Sequence, residues 1–145
     1  MKNASKALRT AFKNVLSGIT YNGYTIPVYE NLPVNTTGNY YIELTTITDT
    51  NEANDAKFIR SVVINVEVYV RQNMYQNYDA VEEISEDVME RILPLIGGGA
   101  GSMSSNDFQI GHIQLESTRI LDERDTNGEY ITRKILTFNQ LLIQY

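Results

Sequence analysis

The 145-residue chain carries 18 acidic and 12 basic residues, a formal net charge of −6, one histidine and no cysteine. This composition excludes a disulfide framework, a thiolate metal site and a multi-histidine metal cluster. It also suits a nucleic-acid clamp poorly, because affinity there comes from neutralised phosphates. The length is that of one domain, residues 1–145, able to bury a core without staples.

The N-terminal stretch is basic but lacks the apolar run and cleavage site of a secretory signal. Ala7, Leu8, Ala11, Phe12, Val15, Leu16 and Ile19 recur at helical spacing and predict a helix over about residues 4–18. Lys6, Arg9, Lys13 and Asn14 lie opposite, as a solvated face, and Ser17-Gly18 is the stop. Tyr21 to Tyr29 reads as a turn at Asn22-Gly23 followed by a short extended segment. Pro27 cannot donate a ladder bond, which puts that segment at a sheet edge. The triplets at Asn3 and Asn35 match a glycosylation acceptor and, without a secretory signal, read as chance.

Tyr40 to Thr48 predicts a second strand. The polar stretch from Asp49 to Lys57 then reads as an exposed hairpin loop. From Phe58 the sequence alternates with a period of two: Val62, Ile64, Val66, Val68 and Val70 share one face. Val63, Asn65, Glu67, Tyr69 and Arg71 share the other, so one side of the sheet is buried. After a polar turn the period changes. Tyr78, Val81, Ile84, Val88, Ile92 and Leu95 form one stripe of a helix over about residues 77–93. Asp79 is the expected N-cap and Glu82 its capping-box partner.

Gly97, Gly98, Gly99 and Gly101 lie in a flexible-looking connection. They follow a helix and no Gly-Lys-Ser/Thr appears, so a phosphate-cradling loop is not expected. Phe108 to Asp122 and Glu129 to Tyr145 predict two long strands joined by the Asn127-Gly128 turn. The apolar parity shifts near Gly111, which predicts a bulge. The last strand is apolar on both faces, with Ile131, Ile135, Leu141 and Ile143 alternating with Tyr130, Leu136, Phe138 and Leu142. The fold class is therefore α+β: a mainly antiparallel sheet of about five strands with two helices packed on one face.

Motifs that could carry chemistry are few. His112 sits in a strand-like stretch and reads as structural. Glu123, Asp125, Asn127 and Gly128 imitate the start of a calcium loop, but Lys134 stands where that loop needs a bidentate glutamate. Ser102, Ser104 and Ser105 have no base nearby in the sequence. No catalysis, cofactor or metal is expected.

The segments IPVYENLP, NYYIEL, VVINVEVYV, DAVEEISEDVMERI, IQLESTRILDE and YITRKILTFNQLLI, in this order, resemble the tail-completion and tail-terminator proteins of long-tailed bacteriophages and their head-to-tail joining relatives. The likeness is of pattern and order over nearly the whole chain; the glycine-rich connection departs from it. It implies a ring-forming subunit at the neck or tail terminus of a virion, with six copies favoured and twelve as the alternative. Such a ring caps the tail tube, meets the tube protein and the head-tail connector or stopper, and leaves a channel through which DNA passes unbound. The other readings are an adaptor or stopper ring and, in a different class, a small hydrolase or ligand-binding domain with a concave pocket.

Two segments are the expected arms toward a neighbouring subunit. One holds Asp49, Asn51, Glu52, Asn54, Asp55 and Lys57, the other Gly97, Gly98, Gly99, Gly101, Ser102 and Met103. With both helices on one side, Tyr69, Ile131, Ile135 and Ile143 on the other are expected to meet a loop, a neighbour or water.

Overall fold

A computed structural model describes residues 3–30, 38–52, 59–72, 78–93, 103, 105–111, 113–124 and 128–145. In chain order these form α1 (Ala4–Leu16), β1 (Thr20–Tyr21), β2 (Tyr24–Thr25), β3 (Val28–Tyr29), β4 (Tyr40–Asn51), β5 (Ile59–Gln72), α2 (Asp79–Ile92), β6 (Phe108–Ile110), β7 (Gln114–Arg124) and β8 (Tyr130–Gln144). The main sheet runs β3-β4-β5-β8, with β6 and β7 end to end along the far side of β8. All pairings in it are antiparallel except β3 with β4. The expected α+β class holds.

Strand β5 is the centre. Val62, Ile64, Val66, Val68 and Val70 are fully buried under the helices, each contributing about 1.5–3 kcal/mol if transferred wholly from water. Leu8, Ala11, Phe12 and Leu16 of α1 and Val81, Ile84, Val88 and Ile92 of α2 complete the layer. Leu136, Phe138 and Leu142 continue it on β8, where Phe138 meets Phe12 edge to face at 5.8 Å.

The ends of α1 follow from local chemistry. Asn3 accepts from the Lys6 amide, Ser17 closes back on the Lys13 carbonyl, and Gly18 turns away at φ 91°, a left-handed backbone that glycine adopts without strain. Asn22-Gly23, at φ 49° and 80°, closes β1 and β2 as a small hairpin. The edge position expected from Pro27 is that of β3, whose pairing with β4 is parallel. The Ile42 amide donates to the Pro27 carbonyl, the group proline still offers.

Other boundaries differ from expectation. The N-cap of α2 is Tyr78, not Asp79, and no side chain caps it. Tyr78 leaves the apolar stripe, being exposed, and its hydroxyl donates to Asp122 at 2.7 Å. Glu82 does not reach back to the cap; it accepts from Lys134, a half-exposed partner for an otherwise buried lysine on β8. Asp79 and Glu82 instead place negative charge in the first turn, against the positive end of the helix dipole. The bulge predicted near Gly111 is the break between β6 and β7. The Gly111 amide donates to the Leu141 carbonyl there, and a Cβ would stand 3.2 Å from that oxygen.

Candidate interaction surfaces

The face of the sheet away from the helices is lined by Tyr41, Glu43 and Thr45 of β4, Tyr69, Glu67 and Asn65 of β5, and Arg133, Ile135 and Thr137 of β8, rung against rung. It covers much of itself. Tyr41 and Tyr69 stack at 4.3 Å, and Tyr29 meets Tyr41 edge to face at 6.0 Å. Arg71 lies over the Tyr69 ring, donates to its hydroxyl at 3.0 Å and pairs with Glu129 at 3.3 Å. Arg133 bridges Glu67 at 3.3 Å and Glu123 at 2.6 Å. Tyr41, Tyr69, Ile131 and Ile135 are each only 8% exposed. Tyr69 and Ile131, expected to meet a loop, a neighbour or water, pack with Tyr41 and Tyr29 of the same face.

Burial, then the neighbouring Tyr69, pushes the Tyr41 hydroxyl up to about 12. Glu43 stands directly opposite Glu67. Burial first, then that like charge, raises its carboxyl above the ordinary value, against the pull of Arg133.

Farther along the same face lies a trough of about 520 Å³ with Val63 and Ile135 in its floor and Ile47, Glu116 and Arg119 among its walls. Two register shifts shape it. Strand β4 gains a residue between Thr46 and Thr48, and β7 gains one between Leu115 and Ser117. They flank the rung where Ile64 pairs with Phe138, the β4 insertion on its Val63 side and the β7 insertion on its Thr137 side. Bulges increase twist and bend the strand that carries them. The result is an open trough on this face. Among the described residues, no three His, Cys, Asp or Glu side chains group as metal ligands.

The two expected arms fare differently. Asp49 and Asn51 belong to β4, which runs three residues beyond the expected end at Thr48; Glu52 follows it, and its amide bonds the Ile59 carbonyl. Asp49 turns toward the helix face, where Arg60 donates at 2.7 Å and Ser5 at 2.6 Å. Burial alone would raise its carboxyl, but those hydrogen bonds together hold it below the ordinary aspartate value. The strand continues because Asp49, Thr50 and Asn51 find rungs at Val62, Ser61 and Arg60, a signal that polarity alone hides. Asn54, Asp55, Lys57, Gly97, Gly98, Gly99, Gly101, Ser102 and His112 lie outside the described residues. Met103 is no exposed arm: it is 6% exposed and packs in the main core.

Sequence reasoning missed β7 as a surface. Its residues are exposed or half-buried on both faces, and Ile120 is 40% exposed. A signal was present in QLESTRILDER, where charges of both signs fall on both parities.

No family model matches the sequence, and no curated protein is similar to it in sequence. In structure the chain is similar to a chain in the virion of a native gene transfer agent particle, with a TM-score of 0.69 and 10% identity over 100% of both chains. At that identity the likeness is one of fold.

Proposed function

We propose that this chain is a structural subunit of a phage-like virion and, more specifically, a ring-forming protein of the neck or tail terminus. The observation that carries the reading is the end-to-end fold likeness to a chain of a gene transfer agent virion. The order of the sequence segments supports the finer assignment. In this reading the ring, of six copies rather than twelve, caps the tail tube and joins it to the head connector, and its function is binding geometry rather than reaction. Charge supports a channel that lets DNA pass: α2 alone carries six carboxylates against one arginine, so its exposed side repels phosphate.

Imaging intact particles with this subunit tagged tests the proposal. Density at the junction of head and tail, in a closed ring, is the expected result. A soluble monomer absent from virions overturns it. No metal or nucleotide is assigned; a stoichiometric metal, or a rise in melting temperature with nucleotide, would bring back the enzyme class.

A further inference from the structure

Among the described residues the main sheet has two open borders. On one side β3 pairs only with Ile42 and Glu43, and no described strand bonds to β4 from Leu44 to Thr50. On the other side β8 is the one described strand that bonds to β7. We propose that neighbouring copies join edge to edge, the outer border of β7 in one pairing with the outer border of β4 in the next, so that the sheets run on around the assembly. This deepens the ring reading above and rests on it.

Three observations carry the inference. First, direction: β4, β5, β8 and β7 alternate, each antiparallel to the last, so β4 and β7 run opposite ways. A rotation that sets copies side by side therefore makes the new pair antiparallel as well, the more stable ladder. Such a contact uses two different borders and propagates from copy to copy, as ring closure requires.

Second, shape: each border carries one extra residue next to the rung of Ile64 and Phe138, Ile47 on the Val63 side and Glu116 on the Thr137 side. A rotation that keeps the height of the strands sets Thr46 against Leu115, with one bulge on either side of that pair. Each border then bends at the same place along the contact.

Third, chemistry selects this pair of borders. A strand left to water is guarded by lysine, proline or unpaired charge. From Leu44 to Asn51, β4 has neither lysine nor proline, and its one charge, Asp49, is neutralised by Arg60. Ile47 stands 50% exposed there. The β7 border is charged, and pairing it with itself about Arg119 is disfavoured, because that register sets Arg119 against Arg119 and Glu116 against Asp122. At equal height the uncovered part of β4 from Leu44 to Thr48 lies against β7 from Gln114 to Thr118, so threonines meet Gln114, Leu115 and Ser117 rather than like charges.

The native chain has no cysteine, so engineered disulfides report the contact without background. Facing residues of an antiparallel pair lie within disulfide reach. Single variants at Thr45→Cys, Thr46→Cys and Thr48→Cys are each mixed with Gln114→Cys, Leu115→Cys and Ser117→Cys, in concentrated protein and in purified particles, and oxidised. At least one mixed pair is expected to give a covalent dimer that neither variant gives alone. The matching double variant is expected to give a ladder of covalent multimers ending at the ring size. The guard variant Ile47→Lys is expected to melt like the parent yet lose assembly. Dimers formed only within the β4 set or only within the β7 set overturn the proposal in favour of a two-fold contact. Normal multimers with no mixed cross-link overturn the edge pairing and leave the ring standing. Single-copy mass in both solution and particles removes the ring itself.

Discussion

Val66 carries the clearest single-residue expectation. It is fully buried in the central strand, opposite Leu44 and Leu136. Val66→Asp puts an unpaired charge under both helices, and a loss of several kcal/mol in denaturant unfolding is expected. Two carboxylates on β4 predict opposite pH behaviour. Asp49 is held below its ordinary value, so its contribution is present above the unfolded-state pKa and is lost as pH falls through the lower folded-state value. Glu43 is raised, so the folded state binds its proton more tightly. Its charge is a burden at neutral pH, and that burden fades as pH falls through the raised value. Asp49→Asn is therefore expected to be less stable than the parent at neutral pH, with the gap closing in acid. Glu43→Gln is expected to be more stable at neutral pH, with its gap also closing in acid. Melting temperatures across an acid-to-neutral series check both signs.

Among the elements, the two helices are joined where their C-termini meet. Arg91, in the last turn of α2, donates to the Val15 carbonyl at 3.1 Å and the Ser17 carbonyl at 2.6 Å. The cation satisfies carbonyls that α1 leaves open and sits at the negative end of both dipoles. Arg91→Ala is expected to cost about 1 kcal/mol, because the site is exposed and screened. The loss should show as faster hydrogen exchange at the C-terminal turn of α1. Unchanged exchange there would make the contact incidental.

For the whole molecule, the position of Met103 alters how the glycine-rich connection is to be tested. Because its side chain is in the core, a deletion of Gly98 to Ser105 removes packing as well as an arm. Met103→Ala alone is expected to cost about 2–5 kcal/mol, as for other large-to-small core changes, without preventing assembly below the melting point. Deleting Gly97 to Gly101 while keeping Met103 is expected to leave the melting temperature near the parent's and to weaken assembly into particles. Full infectivity of that deletion would remove the segment from the mechanism.

The sequence by itself determined the element order, the facing of β5 and the stripes of both helices. Periods of two and of three to four are local consequences of backbone geometry, and no distant residue is needed to read them. It also located the Asn22-Gly23 turn and the break at Gly111, because turns and bulges are written in a few adjacent residues; that the turn closes a hairpin of β1 and β2 came from the structure. Only the tertiary structure decided that β4 runs on to Asn51, that Glu82 serves Lys134 rather than a capping box, and that Met103 is core. It alone revealed that Tyr41 and Tyr69 of the open face pack with Ile131. Each of these depends on what a side chain meets across the sheet or the helix layer, and partners such as Asp49 with Arg60, 11 positions apart, or Glu82 with Lys134, 52 apart, leave no periodic trace. The two borders left open among the described strands belong to the same class: a strand is an edge only by what fails to lie beside it.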